Sequence, residues 1–136
     1  MSEKSTSRDL VELARKSIEG EDPEAVLSFY APDAVWDSTP WGMGIFEGKD
    51  AVRAFFRDWG NAYAHLEWKA EEIRDLGNEV TFAVIFQEGQ IVESGSVQLR
   101  YASIAEWTNG LIVRNTTYRD IDQARADAVR LAEERE

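Results

Sequence analysis

The sequence predicts an α+β domain, with three helices and one strand first and a meander of long strands after them. Three observations carry that expectation. Apolar residues in the first half recur at helical spacing, as in Val52, Phe55, Phe56, Trp59 and Tyr63. From residue 65 the period changes to two, with Leu66, Trp68 and Ala70 in alternation. Thr108-Asn109-Gly110 then separates two strand-like runs and is the strongest hairpin signal in the chain.

Each element has its own local reason. Leu10, Val11, Leu13, Ala14 and Ile18 share one face of a first helix. Thr6-x-x-Asp9 ahead of it reads as a weak capping box, and Gly20 ends it. Asp22-Pro23 starts a short second helix, a cap followed by proline at the first helical position. That helix is expected to carry Val26, Leu27, Phe29 and Tyr30 and to stop before Pro32. Residues 34–39 read as a strand, 40–48 as a turn-rich loop and 50–63 as the third helix. Strands are expected at 65–76, 80–90, 95–107 and 111–119. Asp120 can cap a last amphipathic helix over 121–131.

The bulk numbers bound the function. With 136 residues the chain is expected to form a single domain over 1–136. Hydrophobic residues make up 43% and charged residues 30%, a globular balance rather than a disordered or membrane one. The absence of cysteine excludes disulfides, thiolate nucleophiles and zinc–sulfur sites. A net charge of −11 repels phosphates and anionic lipids, so neither nucleic acid nor membrane is an expected partner. The polar start MSEKSTSRDL shows no leader, no apolar run approaches a membrane span, and a cytoplasmic location is expected.

The order and spacing of several short motifs resemble a known family. Phe29-Tyr30-Ala31-Pro32-Asp33-Ala34-Val35-Trp36 is followed by Phe46-x-Gly48-Lys49-Asp50-Ala51-Val52. Later come Ala105-Glu106-Trp107-x-x-Gly110-x-Ile112 and Tyr118-Arg119-Asp120. Over residues 8–131 this resembles the NTF2-like superfamily and, within it, the SnoaL-like proteins. The resemblance implies a cone built from a curved antiparallel or mixed sheet, with about three N-terminal helices on its concave face. It also implies frequent homodimers packed through the sheet and a pocket between sheet and helices. It does not imply one activity, so function has to come from the site.

Carrying the family's chemistries over residue by residue removes most of them. The oxyanion tyrosine of the ketosteroid isomerases falls on Ala14, their base on Ser38 and their protonated aspartate on Ser103. The arginine and first aspartate of limonene epoxide hydrolase fall on Val84 and Phe86, and its second aspartate on Thr117. Similarity to scytalone dehydratase would need two histidines, and His65 is alone. A SnoaL-type acid belongs near the last two strands, where Asn115 is the one polar candidate for the interior. A lone histidine supports neither a Ser-His-Asp triad nor a metal cluster, so no metal and no cofactor are expected. Gly42-x-Gly44 with Gly48 lacks the strand–turn–helix setting of a dinucleotide loop and reads as a flexible loop over a pocket.

The register implied by the cone places Val80, Phe82, Val84 and Phe86 inward, with Tyr101, Ser103, Ala105 and Trp107, and with Val113, Asn115 and Thr117. Arg100, Ile104, Arg114 and Tyr118 then face outward, onto the expected dimer surface. A one-residue slip would exchange these sets. The candidate ligand-binding residues are Trp36, Trp41, Trp59, Tyr63, Trp68, Phe82, Phe86, Tyr101, Trp107 and Asn115, with Trp41 and Phe46 at the mouth. Such an aromatic lining suits a small hydrophobic ligand, or else the rings simply fill the cone. The candidate catalytic residue is Asp37, between Trp36 and Ser38. Pointing inward, its carboxyl would have a raised pKa and could move a proton; pointing outward, it would stabilise the turn at Ser38-Thr39-Pro40. Two functions stay open: a cofactor-independent isomerase, cyclase or hydrolase, and a non-catalytic ligand-binding or dimeric interaction module.

Overall fold

The computed structural model describes residues 3–135 apart from residues 21, 62, 64 and 92–94. Ten main elements follow one another: α1 (Glu3–Glu19), α2 (Pro23–Leu27), β1 (Tyr30–Asp37), β2 (Ile45–Glu47), α3 (Lys49–Asn61), β3 (His65–Asp75), β4 (Val80–Ile91), β5 (Gly95–Thr108), β6 (Leu111–Tyr118) and α4 (Ile121–Glu134). The six strands form one mixed sheet in the order β2-β1-β6-β5-β4-β3. Among the described residues only the β1–β6 pair is parallel. Its hydrophobic inner face carries α1, α2 and α3, as the expected cone requires.

Local chemistry explains most boundaries. Asp22 caps α2, its side chain accepting from the Ala25 amide at 2.8 Å, with Pro23 next. Asn109 and Gly110 both have positive φ, the backbone that a tight β5–β6 hairpin requires. Asp120 caps α4 by accepting from the Gln123 amide. Gly89 lets the Tyr63 ring lie on the β3–β4 ladder, since a Cβ there would meet the ring at 2.6 Å.

Several boundaries differ from the sequence expectation. Helix α2 ends at Leu27, so Phe29 and Tyr30 lie beyond it instead of within it. Helix α1 already runs from Glu3, so Thr6 and Asp9 lie within it and not ahead of it. Strand β1 starts at Tyr30, four residues before the expected start, because the residues ahead of Pro32 favour extended backbone. The 40–48 loop holds a 3-10 turn at Thr39–Trp41 and the short strand β2, whose Phe46 pairs with Trp36 of β1. Helix α4 extends to Glu134.

Register gives the main correction. Ile91 pairs with Gly95, so odd positions of β4 lie opposite odd positions of β5. Residues directly opposite in an antiparallel pair share a face. Tyr101 and Ser103 therefore share theirs with Ile85 and Ala83, and not with Val84 or Phe86. Val80, Phe82 and Val84 point to the other face, where they pack with Ile104 and Tyr118 against Ala124, Ala128 and Ala132 of α4. Helix α4 thus lies on the outer face, over part of the surface expected to meet a second copy.

Candidate functional site

The inner face is solid at one end and hollow at the other. At the solid end Leu10, Ala14, Tyr30, Ala105, Trp107 and Ile112 pack together beneath α1 and α2. At the other end a cavity of about 260 Å³ opens between the sheet and the aromatic face of α3. The rings are partly accessible there because they surround this space rather than fill it.

The aromatic wall comes from four elements. Phe55, Phe56 and Trp59 descend from α3, Trp41 from the 3-10 turn, Trp36 from β1 and Trp68 from β3. Their rings brace one another. Trp41 lies 4.9 Å from Tyr101 and 6.0 Å from Trp59, and Trp36 meets Phe56 edge-on at 5.0 Å. Gln87, 2% exposed, accepts through Oε1 from both the Trp59 and Trp68 indoles, at 3.2 and 2.8 Å. One buried amide thus fixes two rings contributed by α3 and β3.

The floor is polar and uncharged. Ser38 lies beside Thr117 at 2.7 Å between their hydroxyls, and the Trp36 indole donates to Ser38 Oγ at 2.8 Å. Ser103 sits opposite Thr117 in the next strand. Asn115 Nδ2 donates to the Tyr30 hydroxyl at 2.9 Å. Burial pushes the Tyr30 hydroxyl well above its ordinary pKa, with the Asn115 bond working against it. Tyr101 is raised in the same way by burial, and the nearby Tyr30 adds to it. Both phenols are therefore neutral across the physiological range.

Asp37 is not part of this cavity. It faces the opposite side of β1, as alternation from Trp36 and Ser38 dictates. Its Oδ1 accepts from the Thr39 amide at 2.9 Å and the Thr39 hydroxyl at 2.6 Å, and its Oδ2 from Arg114 at 2.6 Å. Partial burial pushes its pKa up, but the Thr39 bonds and the Arg114 guanidinium outweigh that and hold it below the usual carboxylate range. The candidate proton-transfer group is a turn-stabilising, ion-paired carboxylate. His65 is exposed beside Glu67. The carboxylate that does line the cavity, Asp22, is at its rim and caps α2. Among the described residues no three His, Cys, Asp or Glu side chains cluster to hold a metal.

Of the candidate binding residues, Trp36, Trp41, Trp59, Trp68, Tyr101 and Asn115 line the cavity together. Phe82 and Phe86 do not, because β4 presents its odd positions inward: Phe82 is under α4, and Phe86 carries the Arg100 guanidinium 5.2 Å from its ring centroid. Trp107 faces inward but is sealed in the solid end, its indole donating to Thr81 at 2.9 Å. Tyr63 stands outside the lining, against Gly89 and Gln87. Phe46 stacks on Phe55 at 4.5 Å instead of closing the mouth. The reading from sequence missed Tyr30, Ile85 and Gln87. The signal for Tyr30 was its place just ahead of Pro32. For Ile85 and Gln87 there was no signal, because the facing of β4 follows from its pairing register with β5.

Comparison with known proteins comes down on the same fold. An NTF2-like protein of unknown function from Burkholderia pseudomallei is 23% identical over 89% of this chain and 97% of its own, with a TM-score of 0.70. A protein with a ketosteroid isomerase-like fold from Catenulispora acidiphila, crystallised with trimethylamine, is 12% identical over 88% of this chain and 91% of its own, at a TM-score of 0.68. An epoxide hydrolase of the LEH-like type from Mycobacterium tuberculosis is 16% identical over 90% of this chain and 91% of its own, at 0.67. At these identities the likeness is one of fold. A comparison with curated protein sequences finds no match. The sequence pattern of the SnoaL-like domain matches residues 11–115, more than half of the chain. By that match, over strands and helices that form the cone its motifs imply, this chain belongs to the SnoaL-like domain family.

Proposed function

We propose that this chain binds a neutral, largely apolar small molecule of about two rings in the cavity between α3 and the sheet. The observation that carries the reading is the pairing of an aromatic wall with an uncharged hydroxyl and amide floor around about 260 Å³. An apolar hollow of about 150 Å³ accepts benzene, so this one has room for a second ring. Apolar walls supply the burial, and a few polar groups set orientation. No cation in the lining offers to hold an anion.

The isomerase, cyclase or hydrolase reading loses its proton-transfer group. Asp37 lies on the other face of β1, and the two positions that resemble catalytic carboxylates elsewhere in the superfamily hold Ser38 and Ser103. A serine without a base beside it moves no proton at neutral pH. Binding without proton-transfer chemistry is therefore the reading preferred here.

Filling the hollow tests it. Ser103 is 5% exposed on the floor, and Ser103→Phe places a ring in the space. A titration of neutral two-ring aromatics, followed by tryptophan emission, is expected to give saturable binding that this variant weakens at least about tenfold. Equal affinity in the folded variant would put the ligand elsewhere and end the reading.

A further inference from the structure

A count of hydrogen bonds on the cavity floor leaves one acceptor over. Asn115 is 8% exposed, and its Oδ1 is buried with no donor from the protein. Its Nδ2 is committed to the Tyr30 hydroxyl at 2.9 Å. Tyr30 accepts that bond, so its own proton is left to point elsewhere, and Tyr30 also lines the cavity. A buried amide oxygen left without a donor is costly, and a cavity occupant whose donor reaches it offsets that cost.

The neighbouring pair leaves the opposite kind of group. Ser38 already accepts from the Trp36 indole, and a single proton lies between Ser38 and Thr117. Whichever of the two donates to the other, the remaining hydroxyl has a free proton. The floor therefore offers one acceptor, Asn115 Oδ1, beside hydroxyl donors at Tyr30 and at the Ser38–Thr117 pair.

Resting on the proposed binding role, we infer that Asn115 and Tyr30 determine specificity, and that the ligand carries a neutral O–H or N–H donor on its ring system. That donor meets Asn115 Oδ1. The same atom, or the one next to it, accepts from the Tyr30 hydroxyl. A ring hydroxyl is the one group that can both donate to Oδ1 and accept from Tyr30, and Asn115 and Tyr30 are hydrogen-bonded neighbours in the lining. An ionised phenolate or carboxylate fails twice: it has no proton for Oδ1 and meets no cation in the lining. Sites built to hydrogen-bond a ligand hydroxyl reject the analogue that lacks it far more strongly than apolar sites reject a missing methylene.

Three probes test the inference by calorimetry at neutral pH: 2-naphthol, 2-methoxynaphthalene, which keeps the oxygen and loses the proton, and naphthalene. With the unaltered protein, 2-naphthol is expected to bind at least about tenfold tighter than 2-methoxynaphthalene. In Asn115→Leu that ratio is expected to fall at least about tenfold, while naphthalene still binds. Tyr30→Phe is expected to weaken 2-naphthol and 2-methoxynaphthalene alike relative to naphthalene, since both offer the oxygen that accepts from Tyr30, and a thermal melt shows that each variant is folded. Equal affinity of 2-naphthol and 2-methoxynaphthalene for the unaltered protein overturns the inference and leaves the binding role standing. Tighter binding of 2-methoxynaphthalene means the amide nitrogen faces the cavity, and also overturns it. If none of the three probes binds, the binding role itself fails and takes the inference with it.

Discussion

Asp37 shows how one alternation decides a chemistry. It lies between two side chains that line the cavity, and β1 sends every second residue the other way. Once outside, the carboxylate meets Thr39 and Arg114 and becomes a fixed anion rather than a proton carrier. Asp37→Asn should therefore cost stability, about 1–3 kcal/mol for charge-assisted bonds weakened in a partly buried site. Urea denaturation measures that loss. Affinity for a two-ring aromatic should stay within about twofold of the unaltered protein, because the site shares no partner with Asp37. A large loss of affinity in the folded variant would return Asp37 to the cavity. Both orientations were visible in the sequence, and alternation from Trp36 already favoured the outward one.

At the scale of elements, β4 was legible as a strand and illegible in its facing. Val80, Phe82 and Val84 are as buried as Thr81, Ala83 and Ile85, since the strand is covered on both sides where α4 lies over it. Such a strand has no polar face to betray its orientation. What fixed the facing was pairing parity with β5, joined to a fourth helix that the cone's three N-terminal helices do not include. Helix α4 docks through small residues. Ala124, Ala128 and Ala132 recur every four positions and are buried against β4 and β5, while Val129 is 45% exposed on another side. Ala128 has no room for a larger side chain, so Ala128→Leu should destabilise by about 1–3 kcal/mol through overpacking. Val129→Ala, one position along, should change stability by no more than about 0.5 kcal/mol. Thermal or urea unfolding of the two variants separates a docked helix from a loosely attached one, which would tolerate both.

For the whole molecule, the order of elements and the cone could be read from period and turn chemistry. The cavity could be read only as a question, because aromatic content is the same in a filled core and in a hollow one. What neither period nor composition expresses is how the outer layer is tied down by charge across elements distant in sequence. Glu72 of β3 accepts from Arg125 of α4 at 2.7 Å and from Arg74 at 2.6 Å. The hydrogen bonds from Arg125 and Arg74 lower its pKa from 4.5 to about 2. The Arg125 guanidinium also lies 4.9 Å from the Phe82 ring centroid, so one side chain meets both the acid and the covered ring. The sign of the pH effect follows. In the unfolded chain Glu72 binds its proton near its ordinary pKa, while in the folded chain it resists protonation down to about 2. Acid therefore favours unfolding across that window, and the stability Glu72 contributes is complete above it and lost within it. Asp37, also held low, acts in the same direction. At higher pH the net charge of −11 works the other way, since mild acidification relieves repulsion. The melting temperature should accordingly hold or rise slightly from pH 7 to about 5 and fall steeply from about 4.5 towards 2. Glu72→Gln isolates the ion pair. Its melting temperature should lie about 3 °C or more below that of the unaltered protein at pH 7, and the gap should narrow towards pH 2 as Glu72 takes up its proton. A gap that persists unchanged at pH 2 would mean that residue 72 acts through packing, and that the charge does not hold α4 to the sheet.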